Sequence, residues 1–339
     1  MAFDFAPYAK GHDSLNGPDD ARPTALRIVR DLDLDGKLED KVFVITGGTS
    51  GLGYETARAI HATGGDLYIT GRDLKKGTEV AKALVDDGRP GKVVFIHIEL
   101  DSLDSVRRGA LEILERSNGR VNVLINNAGI MMPPYTLTKD NHESQFGINH
   151  LAHFQLFHIL KPALLASATP SVCARVVNIT SGGHRLSPLD TSDYKLTSDY
   201  TPFRGYGASK TANIYFSNEI TRRYGSGGVQ AYSVQPGMAT TNIVQYLHPD
   251  MLELYTSFPG GKQFIKSAAQ GAATIVLVAL HPELEGKGGG YFEDCTVSGR
   301  AEGDDPMVHP RGYAPWVEDR ESARRLWKDS LAMIGVDDE

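Results

Sequence analysis

Short apolar runs rich in β-branched and aromatic residues recur along the chain, and between them apolar positions return every three or four residues. Seven runs read as strands: Lys41–Thr46, Asp66–Thr70, Lys92–Ile98, Val121–Ile125, Arg175–Ile179, Val229–Gln235 and a short one around Gly290–Phe292. The first, Lys-Val-Phe-Val-Ile-Thr, is apolar without alternation, as expected of a strand covered on both faces. The intervening stretches read as helices: Tyr54–Ala62, Leu74–Asp86, Ser102–Ser117, Asp140–Ser167, Tyr206–Tyr224, Phe264–Leu280 and Val317–Met333. Strand and helix alternate strictly through the first four strands. That order predicts an α/β fold in a single domain, a doubly wound parallel sheet of about seven strands with right-handed crossovers. Residues 1–40 lack a clean period and read as an extension with a short helix around Thr24–Asp31. Residues 296–339 read as a second extension, anchored by burial of Trp316 and Trp327.

Ligands of such sheets lie beyond the carboxyl ends of the strands. The polar and glycine-rich stretches of this chain gather at those ends. The first strand runs into Gly47-Gly48-Thr49-Ser50-Gly51-Leu52-Gly53, with a helical pattern behind it. Strand, glycine loop and helix form the context of a phosphate-binding turn. There the backbone approaches a pyrophosphate and the helix N-terminus offers free N–H groups. The second strand ends in Gly71-Arg72-Asp73, where the adenosine ribose of a dinucleotide is read. An arginine matches a ribose 2′-phosphate through its planar charged fork, so Arg72 predicts NADP(H). Lys75 and Lys76 either reinforce it or decorate a solvated helix, and Asp73 reads as the cap of that helix. Asp101, Asn126–Gly129 and Thr180-Ser181 also fall at strand ends.

Tyr206 and Lys210 stand four residues apart in a stretch free of Pro, so a helix stacks both on one face. An ammonium beside a phenol favours the phenolate and lowers a pKa that is ordinarily about 10. A tyrosine tuned in this way exchanges protons near neutral pH. Asn149 is more polar than its apolar surroundings need. The loop 182–204 is of a length that is usually functional or disordered. The apolar, broken segment 239–262 reads either as a lid over an apolar ligand or as a packed surface excursion.

Composition narrows the class. The net charge of -7, without a basic block, gives no indication of nucleic-acid binding. The longest apolar run, residues 272–280, is too short to span a bilayer, and no secretory signal is evident. Cys173 and Cys295 lack metal-ligand spacing, and His150, His153 and His158 lack ligating company, so no metal is expected. These features fit a soluble protein of a reducing, cytoplasmic compartment.

Together these stretches resemble the classical short-chain dehydrogenase/reductase family over roughly residues 40–295. The carriers are Thr46–Gly53, Asn126-Asn-Ala-Gly129, Asn149, Ser181, Tyr206-Gly-Ala-Ser-Lys210, and Pro236-Gly237 with Thr241. Gly147–Phe154, Val177–His184, Gly290–Cys295 and Ala323–Trp327 are similar to the branch of retinol dehydrogenases and WW-domain oxidoreductase. Ala152 stands where that branch usually has glycine, and Thr180 where it has serine. The resemblance implies a Rossmann-type catalytic domain, residues 41–295, and a role for each matched position. Tyr206 is the general acid or base, and Lys210 lowers its pKa and holds the nicotinamide ribose. Ser181 binds the substrate oxygen, and Asn149 holds a water of the proton relay. Gly47, Thr49, Ser50, Gly51, Leu52 and Gly53 form the cofactor turn, with Arg72 and Lys76 at the phosphate and Asp101 at the adenine. Asn127, Ala128 and Gly129 meet the adenosine ribose and the sheet interior. Pro236, Gly237 and Thr241 flank the nicotinamide amide. The expected activity is NADP(H)-dependent interconversion of a carbonyl and an alcohol on an apolar, medium-sized substrate. A non-catalytic cofactor-binding regulator and a retinol-type alcohol oxidation are the alternatives. The branch includes reductases of specialised metabolism. Members of the family commonly form homo-oligomers through the Tyr206 helix and its neighbour.

Overall fold

A computed structural model describes residues 3–85, 88–239, 241–246, 261–303 and 311–337. The strands β1 Val42–Ile45, β2 Asp66–Gly71, β3 Val93–His97, β4 Val123–Asn126, β5 Ala174–Ile179, β6 Val229–Gln235, β7 Tyr291–Glu293 and β8 Thr296–Ser298 form one sheet. Their order is β3-β2-β1-β4-β5-β6-β7-β8, and every neighbouring pair is parallel except the last. The chain reverses at β1, between β2 and β4, which opens the crevice where doubly wound sheets bind ligands.

Seven strands were expected and all are present, but the sheet has eight. The additional one, β8, pairs antiparallel with β7 across a tight turn in which Asp294 and Cys295 take φ of 49° and 57°. Two successive residues at positive φ define the turn of a two-residue hairpin, which normally announces itself by Asn-Gly or Asp-Gly. Asp-Cys gives no such signal.

Alternation along β1 explains its unbroken apolar run. Phe43 and Ile45 point to one face of the sheet, with Leu67, Ile69 and Tyr232. Val42 and Val44 point to the other, with Tyr68, Leu124 and Val176. Helices α1 Ala25–Asp31, α2 Gly51–Ala62, α3 Leu74–Val85 and α7 Ala273–Leu280 cover the first face. Helices α4 Leu103–Arg116, α5 Ala152–Ser167, α6 Pro202–Tyr224 and α8 Arg320–Met333 cover the second.

Two predicted helices begin about a turn earlier than expected, at Gly51 and Pro202, and three others differ more. The expected helix 140–167 begins only at Ser144, because Thr138 and Ser144 make backbone hydrogen bonds to His142 and Thr136 that fold residues 136–144 back on themselves. A π-helical turn, Gly147–Leu151, then leads into α5. The expected helix 264–280 is broken into Gly261–Phe264, Ala268–Gly271 and α7. Ser267 and Gln270 form a reciprocal capping box that starts a new helix, while Lys266 N–H bonds Met238 O. In the C-terminal stretch, Asp319 caps α8 by accepting from Glu321 and Ser322 N–H, so the helix opens at Arg320 rather than Val317.

The residues before β1 are tied into the first layer. Phe5, Ile28 and Val29 are buried in its core. Arg22 is buried too, and its guanidinium donates to the carbonyls of Gly17, Phe264 and Ile265 and to Asp20. On the other face, Trp327 of α8 sits among Phe154, Phe157, Phe216 and Tyr224, with the Arg223 guanidinium 4.7 Å from its ring centre. Among the described residues no helix is long and apolar enough to cross a membrane.

Candidate active site

Helix α6 brings the predicted pair to the carboxyl end of β5. Thr201 caps it by accepting from Arg204 N–H, and Pro202 sits in its first turn, where a missing N–H costs nothing. Tyr206 and Lys210 share a buried face one turn apart, with Lys210 Nζ 5.7 Å from the centre of the Tyr206 ring. The ammonium donates to Ile179 O at 3.1 Å, and the Thr180 hydroxyl donates to Lys210 O at 2.9 Å. Strand β5 thus holds the helix at both ends of this residue. Burial pushes the Lys210 ammonium down to about 8, because an enclosed charge has lost its water.

Ser181 follows β5 and opens the 3-10 turn Gly182–Leu186, where its Oγ accepts from Gly183 N–H at 3.0 Å. Gly183 separates the serine from the tyrosine. A Cβ added there would lie 2.7 Å from Tyr206 Cε1 and 3.3 Å from Ser181 Oγ, touching both groups at once. Gly183→Ala is therefore expected to displace the tyrosine ring. We predict a loss of turnover of roughly a hundredfold, with the urea unfolding midpoint nearly unchanged. Wild-type turnover in this variant would show that the ring tolerates a shift.

Asn149 lies in the π-helical turn, fully buried. Its Oδ1 accepts from Ile130 N–H at 2.8 Å, and its Nδ2 donates to Ile130 O and to Ser209 Oγ. A Cβ at Gly129 would sit 3.0 Å from Asn149 Oδ1 and 3.5 Å from Lys210 Nζ. Gly129, Asn149 and Lys210 therefore converge, as do Ser181 and Tyr206.

The glycine loop stands at the carboxyl end of β1. Gly47 has φ 67°, and a Cβ on Gly53 would lie 2.1 Å from Gly47 O, so the loop folds back onto the first turn of α2. Asn127 and Ala128 N–H both donate to Thr46 Oγ1, and Asn127 Nδ2 donates to Thr46 O. These bonds weld two stretches that the sequence presents separately. Gly51 comes close to Thr241, whose Cγ2 would lie 3.2 Å from an added Cβ. Behind Pro236 and Gly237, the buried Lys266 ammonium donates to Pro236 O at 3.2 Å and to Asp294 at 2.7 Å.

At the adenosine end, Arg72 is exposed just beyond β2. Asp73 Oδ1 accepts from Lys76 N–H at 3.0 Å, so that carboxylate caps α3 as expected. An open groove of about 510 Å³ runs between the glycine loop and α3, lined by Thr49, Ser50, Tyr54, Lys76 and Glu79. Asp101 lies 3.6 Å from Lys139 Nζ. Of the segment 239–262, expected as a lid or a packed surface excursion, residues 240 and 247–260 lie outside the described residues.

Sequence reasoning gave no site role to Thr46, His153 or Lys266. His153 contacts Asn149 O through Nδ1 and Thr46 Oγ1 through Nε2, at 3.0 and 2.9 Å. Burial pushes its pKa down to about 4, so the ring is neutral and serves as a bridge. No metal-binding cluster of His, Cys, Asp and Glu occurs among the described residues.

The comparisons agree with this arrangement. The family model described as short chain dehydrogenase matches residues 41–252. Short-chain dehydrogenase/reductase prx1 of Penicillium roqueforti is 43% identical over 330 residues, covering 97% of this chain and 95% of the relative. Retinol dehydrogenase 12 of Mus musculus is 35% identical over 305 residues, covering 88% of each. The crystal structure of an uncharacterized protein from Mycobacterium paratuberculosis superposes with a TM-score of 0.66 at 29% identity, covering 93% of this chain and 98% of that one. The chain belongs to the short-chain dehydrogenase/reductase family and is an oxidoreductase of that family.

The family uses NAD or NADP, and the residues here fit such a cofactor. The glycines of Gly47–Gly53 let the loop close tightly on itself and on Ile69, Ala128 and Thr241, where a Cβ would collide, and a twelve-residue helix whose free N–H groups suit a pyrophosphate starts within it.

Proposed function

We propose that this chain interconverts a carbonyl and an alcohol on an apolar, medium-sized substrate with NADP(H), running mainly as a reductase. The observation that carries the reading is the convergence of Ser181, Tyr206, Lys210 and Asn149 beyond the carboxyl ends of β4 and β5, beside the glycine loop at β1. The bound nicotinamide would supply or take the hydride. In reduction, the Tyr206 hydroxyl gives its proton to the substrate oxygen, and in oxidation the phenolate takes it. Ser181 Oγ hydrogen-bonds that oxygen as charge develops on it. Lys210 favours the phenolate and reaches the cofactor ribose. Both Asn149 Nδ2 hydrogens are engaged, by Ile130 O and Ser209 Oγ, so a relay water would donate to an Asn149 oxygen that keeps an open acceptor site, such as Oδ1, which takes only the Ile130 N–H.

Gly47, Thr49, Ser50, Gly51, Leu52 and Gly53 would cradle the pyrophosphate. Arg72 and Lys76 would hold the 2′-phosphate, and Asp101 the adenine. Asn127, Ala128 and Gly129 would line the ribose, and Pro236, Gly237 and Thr241 the nicotinamide amide. Asp73 is spent as a helix cap, which supports NADP(H) over NAD. Leu186, at the end of the turn that follows Ser181, and Met238, next to Gly237, are exposed apolar residues, which supports an apolar substrate.

The test is NADPH and NADH consumption with a panel of ketones and aldehydes, together with Arg72→Asp. That substitution removes a charge-assisted contact of about 2 kcal/mol, or roughly thirtyfold in affinity for NADPH. NADH binding is expected to change by less than about threefold. Equal losses for both would make Arg72 structural. No turnover across the panel would return the regulator reading.

A further inference from the structure

His184 lies three residues after Ser181 on the 3-10 turn and is completely buried. Its Nδ1 is 2.7 Å from Ser181 O, and its Nε2 is 3.0 Å from Ala314 N. A carbonyl only accepts and an amide N–H only donates. A single tautomer therefore satisfies both contacts, with the hydrogen on Nδ1 and the lone pair on Nε2. Burial pushes the ring to about 4, which keeps it neutral in that tautomer.

The partners of His184 extend the connection in both directions. Its backbone N–H also donates to Ser181 O, at 3.0 Å, so two bonds converge on the serine carbonyl while Gly183 N–H holds its Oγ. On the far side, Trp316 Nε1 donates to Thr211 Oγ1 at 3.4 Å, and the one Thr211 hydroxyl hydrogen is shared between Ser187 O, at 3.0 Å, and His184 O, at 3.2 Å. Tyr215 hydroxyl donates to Trp316 O at 2.7 Å. Thr211 and Tyr215 belong to α6, the helix of Tyr206 and Lys210.

We propose that His184 is a positioning residue that couples the C-terminal segment 312–318 to Ser181, making that segment part of the active site's support. It lies beyond the 41–252 match to the family model, which ends before it. The inference rests on the reading of Ser181 as the group that binds the substrate oxygen.

Two conservative variants divide the bridge. His184→Asn places an amide nitrogen near the position of Nδ1, retaining the arm to Ser181 and losing the arm to Ala314. His184→Gln places an amide oxygen near Nε2, with the opposite result. In the full chain, both are expected to lower kcat by ten- to a hundredfold, with the Kd for NADPH within about twofold of wild type. Wild-type kcat in His184→Asn would overturn the coupling.

The second measurement needs no turnover. A spectrum of the wild-type protein carrying 15N-histidine should show His184 as the Nδ1–H tautomer, and amide exchange at Ala314 should be slow. In His184→Asn that amide should exchange at least tenfold faster. An Nε2–H tautomer, or unchanged exchange in the variant, would sink the proposal whatever the activity. Should the tautomer and exchange come out as expected while no carbonyl is turned over, the bridge stands and the catalytic reading of Ser181 falls.

Discussion

Tyr206→Phe is expected to lower carbonyl reduction by about a thousandfold, within the range seen when a general acid is removed, while NADPH binding stays near wild type. The substitution deletes one oxygen. The ring keeps its place against Gly183 and its position beneath the Lys210 ammonium. Steady-state turnover and a parallel NADPH titration by thermal shift separate the two effects. A variant that retained most of its activity would place the proton donor elsewhere, and a variant that lost NADPH binding as well would point to a collapsed site.

The second large effect has opposite signs for function and stability. Lys210→Met should abolish turnover yet stabilise the cofactor-free protein. In the fold the Lys210 ammonium titrates at about 8, against 10.5 for the free side chain. The folded state therefore binds this proton less readily than the unfolded chain. Unfolding takes up a proton between those two values, and stability rises with pH through that window. Below about pH 8 the lysine is charged in both states, and the cost of enclosing it is present in full. A displacement of that size corresponds to about 3 kcal/mol. Methionine keeps the length and the apolar stem without the charge. Ile179 O is not orphaned, because Asn213 Nδ2 also donates to it at 3.0 Å. Unfolding of both proteins at pH 7 and pH 10 checks this. The variant should be the more stable at pH 7, and the gap should narrow at pH 10. A variant less stable at pH 7 would show that the ammonium is better solvated than its enclosure implies. The expected trade of stability for a tuned side chain is common at active sites.

These effects could be argued early because the decisive residues are local signals. Strand β1 is an unbroken apolar run because Val42 and Val44 serve one layer while Phe43 and Ile45 serve the other. Tyr206 and Lys210 face the same way because a helix repeats every 3.6 residues, and the glycine loop is punctuation that a short window contains. What escaped depends on partners far along the chain. Thr46 looks like the last residue of a strand until Asn127 and Ala128 bond to it. His153 and His184 are single histidines until Thr46 and Ala314 reach their second ring nitrogens. The hairpin at Asp294-Cys295 lacks the glycine or asparagine that usually marks its turn. The break at Ser267 is different, since Ser267 and Gln270 do carry a capping signature that periodicity alone overrides.

Helix α8 has a consequence for how the protein behaves on dilution. Trp327 and its aromatic cage cover one face of α5 and α6 from within the same chain. A dimer built there would first have to strip α8 away and expose that cage to water. The chain supplies its own covering piece, joined covalently, so the local concentration of that piece is fixed by the tether. Where a subunit interface covers such a face, melting temperature falls as the sample is thinned. Here the covering of α5 and α6 is indifferent to how many other copies are present.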